Sequence, residues 1–109
     1  MRNFLHAALA TLALLPATPA MAAYPDKPIK MLVAYSPGGG TDIVARAMAP
    51  FIEKYLGEGA RVVMDNRPGA GGAVGFAALA AAPADGYTIG FINTPNVLTI
   101  PIERKTTFT

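Results

Sequence analysis

Short apolar runs alternate with amphipathic stretches along the central part of the chain. Residues 29–35 are nearly all apolar after Lys30, which is typical of a strand that is covered on both faces. Residues 61–65 and 87–92 form two further short runs that contain β-branched or aromatic side chains. The pattern therefore predicts three strands.

The stretch between the first two strands has a helical period. Apolar residues recur there in pairs four positions apart, which predicts a long amphipathic helix. Thr41 is the predicted N-cap, and Gly57 or Gly59 is the predicted end. Pro50 falls inside this helix on the outer face, where a bend convex to solvent accommodates it. The apolar positions are Ile43, Val44, Ala47, Met48, Phe51, Ile52, Tyr55 and Leu56.

Residues 74–82 are alanine-rich and are followed by Pro83, which predicts a second helix whose small side chains suit close packing. The resulting order is βαβαβ, an α/β fold with parallel strands and right-handed crossovers. Residues 93–96 read as a polar loop, and no clear element is predicted beyond Ile100. Because two predicted helices cover a parallel sheet poorly, the chain reads as the front part of a longer protein.

Two glycine-rich loops, at residues 36–42 and 66–75, each lie between a predicted strand and a predicted helix. Glycine lets a ligand approach backbone N–H groups, and the first N–H groups of a helix attract anions. In a parallel sheet such loops share one edge, where ligands bind. The sequence therefore predicts a site for a small carboxylate built largely from main chain, with short polar side chains as further donors: Ser36, Thr41, Asn93 and Thr94.

Other interpretations of these loops stay open. The glycines can make tight strand-to-helix turns with no ligand. The Asp42 side chain either orients a ligand or caps the helix and braces the neighbouring loop, and Arg67 either meets a carboxylate or points to solvent. Nucleotide binding is disfavoured, because Gly69, Gly71 and Gly75 are spaced one residue too widely for the dinucleotide motif. No lysine follows a glycine loop as a P-loop requires.

The first 22 residues have the pattern of a signal peptide. Arg2 precedes an apolar stretch of about twelve residues, 4–15, and Ala20-Met21-Ala22 offers small residues for cleavage. This pattern predicts export to a bacterial periplasm.

Composition narrows the function classes. The sequence has no cysteine, and its single histidine, His6, lies in the predicted leader. The common zinc sites and Ser-His or Cys-His catalysis are therefore excluded after the leader, and we expect no metal and no cofactor. The net charge of +2 includes Arg2, and no basic cluster follows it, so nucleic acid is not an expected partner.

Four segments together resemble one protein family. Residues 24–30, 37–42, 66–72 and 83–88 are similar to signatures of the periplasmic solute receptors of tripartite tricarboxylate transporters, the Bug or TctC-like family. The resemblance implies a two-lobed Venus-flytrap receptor of α/β fold that is not an enzyme. It also implies that the receptor delivers a small di- or tricarboxylate, or a related organic acid, to membrane permease subunits.

In this family the two glycine loops form a pincer on a ligand carboxylate, largely through backbone amides and ordered water, and the loop after the third strand faces the cleft. The ligand-binding residues that the resemblance implies are Ser36, Gly38, Gly39, Gly40, Thr41, Asp42, Gly69, Ala70, Gly71, Gly72, Asn93 and Thr94.

Members of the family are much longer, so the resemblance implies that residues 23–109 hold only part of the first lobe. Two other hypotheses stay open. One is a truncated remnant without ligand function. The other is an exported α/β hydrolase-like enzyme with an oxyanion hole at a helix N-terminus. The enzyme is disfavoured, because the chain has neither a G-x-S-x-G motif nor a histidine after the leader.

Overall fold

The structure, a computed structural model, describes residues 23–108. Three parallel strands, β1 (Ile29–Val33), β2 (Val62–Asn66) and β3 (Thr88–Phe91), form one sheet in the order β2-β1-β3. The predicted α/β fold with parallel strands is confirmed. The predicted leader, residues 1–22, lies outside the described part of the chain.

The strands end side by side. Val33, the last residue of β1, pairs with Asn66 of β2 and with Phe91 of β3, and these are the last residues of their strands. The predicted strand through Tyr35 is therefore too long by two residues. Because the three strands are parallel and in register at this end, the loops that follow them lie along one edge, as expected.

Three helices follow the strands: α1 (Gly40–Leu56), α2 (Ala73–Ala80) and α3 (Asn96–Glu103). A short 3-10 turn, Ala70–Gly72, precedes α2. Within the described residues, no helix combines the length and the apolar character that crossing a bilayer requires.

The ends of α1 differ in how well the sequence predicts them. Gly39 is the N-cap, so the prediction of Thr41 as N-cap is wrong, and no side chain among residues 23–108 caps the helix by a hydrogen bond. Pro50 lies inside the helix on the exposed side, and Gly57 ends it with a φ of 104°, both as predicted. Backbone donors at the first turn of α1 are therefore left without a side-chain cap.

Helix α3 was not predicted. Pro101 lies within it, and a proline normally interrupts a helix because it lacks an N–H group. Burial stabilises α3 instead: Ile100 is buried in a cluster with Ala34, Phe76 and Phe108. The expectation of no element beyond Ile100 is therefore wrong as far as Glu103.

The inner face of α1 is narrower than the apolar pattern predicts. The small residues Ala45 and Ala49 are buried and let the helix approach the sheet, where Ala45 packs with Met31 and Val33. Of the larger apolar residues, Ile52 packs partly buried against this cluster, whereas Phe51 and Tyr55 are 64% and 82% exposed. The periodicity located the helix correctly, but most of its large apolar side chains lie outside the buried face.

Close packing of α2 against the sheet depends on glycine. A Cβ at Gly75 would lie 2.5 Å from the Ala34 Cα and 3.0 Å from the Arg67 carbonyl oxygen, so any side chain there would force the backbones apart. The prediction that small residues allow close packing in this region is confirmed.

Candidate functional site

Two hydrogen-bonded groups bring the predicted loops together beyond the ends of the strands. Asn93 Nδ2 donates to Thr41 Oγ1 at 3.1 Å, which joins the loop after β3 to the first turn of α1. The Gly71 carbonyl oxygen accepts from the Tyr35 hydroxyl at 3.5 Å and from Asn96 Nδ2 at 3.4 Å. Burial raises the pKa of the Tyr35 hydroxyl, so it stays a neutral donor at physiological pH.

The first glycine loop presents free backbone donors. The Gly39 N–H donates to the Ser36 carbonyl oxygen at 3.2 Å, and the Ile43 N–H donates to the Gly39 carbonyl oxygen at 3.0 Å. The N–H groups between them belong to Gly40, Thr41 and Asp42 and lie in the first turn of α1, where a helix offers no internal acceptor. Within residues 23–108 these three N–H groups have no acceptor, so they are available to an anion at the positive end of α1.

The second glycine loop has an unusual backbone. Residues 69–72 all have positive φ, between 48° for Ala70 and 142° for Gly69. An alanine in the left-handed region costs roughly 1–2 kcal/mol. Arg104 Nη2 donates to the Ala70 carbonyl oxygen at 2.6 Å and helps to hold this conformation. Within residues 23–108 the N–H groups of Ala70 and Gly71 have no acceptor, whereas the Gly72 N–H donates to the Gly69 carbonyl oxygen at 3.0 Å.

The Asp42 carboxylate is buried and fully engaged by the protein. Its Oδ2 accepts from Arg46 Nε at 2.8 Å and from the Gly38 N–H at 2.8 Å, and its Oδ1 accepts from Asn66 Nδ2 at 2.9 Å. The hydrogen bond from Arg46, followed by those from Gly38 and Asn66, holds the pKa of Asp42 far below its usual range. Of the two roles open for this side chain, the geometry favours the brace.

Asn66 is the residue of this region that sequence reasoning missed. It ends β2, and its Nδ2 donates both to Asp42 Oδ1 and to the Tyr35 carbonyl oxygen, the latter at 3.0 Å. Its Oδ1 accepts from Arg46 Nη2 at 3.3 Å. The only signal in the sequence is an asparagine at a strand end just before a glycine loop, which is too common to single it out.

The remaining predicted positions have different roles. The Arg67 side chain is turned away from the sheet edge, since Arg67 Nε donates to Asp65 Oδ1 at 2.9 Å. This hydrogen bond lowers the pKa of the Asp65 carboxyl. Thr94 is exposed. Asn93 Oδ1 is buried and has no hydrogen-bond partner among residues 23–108. The Ser36 carbonyl oxygen, rather than its hydroxyl, takes part in the first loop.

The chemistry of this edge is that of binding. Within the described residues its free donors are backbone N–H groups, which suit the oxygens of an anion. Across the described residues, no group of three or more His, Cys, Asp or Glu side chains is placed to share a metal ion.

Comparisons with known proteins identify the family of the chain. Residues 44–109 match the family model described as "Tripartite tricarboxylate transporter family receptor". Protein BugT of Bordetella pertussis is 48% identical over 66 residues, which are 61% of this chain and 20% of that protein. A UPF0065 protein from the gbd 5′ region of Cupriavidus necator is 38% identical over 94 residues, 86% of this chain and 28% of that protein.

The fold has solved counterparts as well. The structure of the periplasmic binding protein BugD aligns with a TM-score of 0.58 and 43% identity over 62% of this chain and 22% of that one. A second structure, of a periplasmic transporter, aligns with a TM-score of 0.58 and 44% identity over the same shares. The chain thus spans between 20% and 28% of the length of these relatives. By its match to the family model over residues 44–109, the chain belongs to the tripartite tricarboxylate transporter receptor (TctC) family.

Proposed function

We propose that this chain forms part of the first lobe of a periplasmic solute-binding receptor, and that its sheet edge binds a carboxylate group of a small organic acid. Family membership supports the receptor role. The free first-turn N–H groups of α1 support an anion as the ligand. In this proposal residues 1–22 direct export, and the receptor delivers the acid to the membrane permease subunits of a tripartite tricarboxylate transporter.

Gly40 is the single observation on which the proposal depends. A turn-making role accounts for Gly38, which has a φ of 81°, and for Gly39, where a Cβ would lie 3.2 Å from the Ser36 carbonyl oxygen. Neither reason applies to Gly40, whose φ lies outside the positive region and whose added Cβ would meet nothing within 4 Å. A glycine that the fold does not require, beside a free N–H group, leaves room for a ligand to approach the backbone.

In this arrangement the two loops supply opposing donors. The N–H groups of Gly40, Thr41 and Asp42 act from α1, and those of Ala70 and Gly71 act from the second loop. The hydrogen bonds from Tyr35 and Asn96 to the Gly71 carbonyl oxygen fix the second loop beside the end of β1. The other glycines shape the loops. The N–H groups of Gly38, Gly39 and Gly72 donate to acceptors within the protein, and Gly69 adopts a φ of 142°.

One lobe alone leaves most of a bound acid in water, whereas small-molecule sites ordinarily bury about 70–90% of the ligand. Hydrogen bonds at an open edge contribute about 0.5–1.5 kcal/mol each. The loss of ligand freedom costs at least about 4 kcal/mol. We therefore expect this 109-residue chain to bind carboxylates no more tightly than the millimolar range.

The test is an NMR titration of the 15N-labelled chain with succinate. We expect saturable shifts at the amides of Gly40, Thr41 and Gly71, because succinate oxygens would accept from these N–H groups or their neighbours. Succinamide has the same shape without the charge and should produce no comparable shifts. Equal shifts with succinamide, or shifts spread evenly over the sheet, would contradict an anion site at this edge.

Gly40→Val separates the ligand role from the turn role. The new Cβ would meet nothing within 4 Å inside the protein, and the valine side chain should cover the free N–H groups. We therefore expect the succinate shifts to disappear while the fold stays intact. Ala47→Val is the matched control, because it places the same valine side chain at an exposed position of α1. If Gly40→Val retains the succinate shifts, the ligand role of Gly40 is contradicted and only the turn-making interpretation of the loop is left.

A further inference from the structure

Asp42 and Asn66 link three elements of the fold at the base of the two loops. Asp42 lies in the first turn of α1 and accepts from Gly38 in the first loop. Asn66 ends β2, directly before the second loop, and donates to Asp42 and to the Tyr35 carbonyl oxygen after β1. The two side chains therefore join the first loop to the start of the second.

These contacts leave the Asp42 carboxylate little capacity for a ligand. Each of its oxygens already accepts at least one hydrogen bond of 2.8–2.9 Å, and the side chain is buried. A carboxylate beneath an anion site would also repel the ligand. The Arg46 guanidinium, 2.8 Å away, offsets that charge. The Asp42 carboxylate can thus stay buried at the site, paired with the partly exposed Arg46, without opposing an incoming anion.

We propose that Asp42 and Asn66 are positioning residues that hold the two glycine loops in a fixed relation and so set the spacing of their free N–H groups. The Gly38 N–H is turned inward to Asp42, which fixes the loop that leads into Gly40. The Arg67 N–H donates to the Val33 carbonyl oxygen at 2.8 Å, so the chain directly after Asn66 is fixed as well. The consequence for a ligand rests on the proposed function, whereas the coupling between the loops does not.

Hydrogen exchange of backbone amides tests the coupling without any ligand. In Asp42→Asn the new amide has one acceptor oxygen where the carboxylate had two, so its NH2 group must face Asn66 Nδ2 or the donors from Gly38 and Arg46. Loss of a hydrogen bond to a charged group corresponds to roughly tenfold or more in an equilibrium constant. We expect exchange at Gly38 to accelerate by about that factor, and exchange at Gly72 in the second loop to accelerate with it.

The amide of Met31 in β1 is the reference for general stability, and Asp65→Asn is the matched control. Asp65 precedes Asn66 in β2 and pairs with Arg67 and Lys30 outside this cluster. Exchange that accelerates by a larger factor at Gly38 and Gly72 than at Met31, an effect absent from Asp65→Asn, supports the proposal. Faster exchange at Gly38 alone would overturn it, because Asp42 would then brace only its own loop. Equal acceleration at Met31 would overturn it by showing a general loss of stability.

Succinate binding gives the second readout. If the loops act together, Asp42→Asn and Asn66→Ala should each weaken the succinate response at Gly40 by roughly tenfold, and the double variant should weaken it little further. Asp65→Asn should bind as the parent chain does. If the parent chain binds succinate and Asp42→Asn shows the same response at Gly40, the proposed consequence for the ligand is overturned. Absence of binding by the parent chain would instead contradict the proposed function and leave the exchange result to decide the coupling.

Discussion

The buried carboxylate of Asp42 makes the stability of the fold sensitive to acid. Hydrogen bonds from Arg46, Gly38 and Asn66 hold its pKa far below the usual value of about 3.9. A carboxyl whose pKa is lowered by folding adds stability above its unfolded pKa, and that contribution is lost as the pH falls toward the folded pKa. We expect the Tm, followed by circular dichroism, to decline between about pH 5 and pH 2.

Asp42→Asn should lower the Tm at pH 7 and should make the decline below pH 5 shallower, because the titrating group is gone. Asp65→Asn is the control variant, because it removes a different carboxylate. The pKa of Asp65 is also lowered, by Arg67 first and then by Lys30, but its side chain is 21% exposed and water screens these pairs. Its pH profile should therefore stay close to that of the parent. If the Tm of Asp42→Asn declines below pH 5 as steeply as that of the parent, groups other than Asp42 cause the acid sensitivity.

Helix α3 depends on burial, since it has only eight residues and a proline lies within it. Ile100 is 4% exposed and Ile102, two residues later, is 84% exposed. Ile100→Ala should lower the free energy of unfolding by about 2–5 kcal/mol, because it leaves a cavity beside Phe76 and Phe108. Ile102→Ala should change it by no more than about 0.5 kcal/mol. Urea denaturation of both variants measures the difference, and equal effects would mean that α3 is not packed as described.

The whole described chain leaves one large apolar surface open, formed by Val44, Met48, Phe51, Tyr55 and Leu56 on α1. Exposed apolar surface of this kind favours association. We expect the chain to self-associate as its concentration rises in analytical ultracentrifugation, and Phe51→Lys to reduce this association. Ile102→Lys makes the same exchange of an exposed apolar side chain for a lysine on α3, so it should have little effect. An equal effect of both variants would assign the association to net charge rather than to this surface.

Much of the fold could be predicted from local pattern. The apolar runs located β1, β2 and β3, and the four-residue spacing located α1, because strand and helix periods are properties of the local chain. The glycine loops were predicted at the correct edge, since parallel strands place their following loops together. The local pattern did not predict helix α3, because that helix depends on the burial of Ile100. It also did not predict the N-cap of α1, because the cap depends on the path of the backbone through Gly39.

The sequence by itself determined the α/β class, the edge at which the glycine loops meet and the absence of cysteine and of histidine after residue 6. Tertiary structure decided which groups of that edge are free. Gly38 and Asp42 are both among the ligand-binding residues that the family resemblance implies, yet they bind each other. Asn66 joins them from a strand, 24 residues away from Asp42 in the sequence. Sequence spacing fixes which residues reach an edge, but a hydrogen bond between distant residues forms only where folding brings donor and acceptor within about 3 Å.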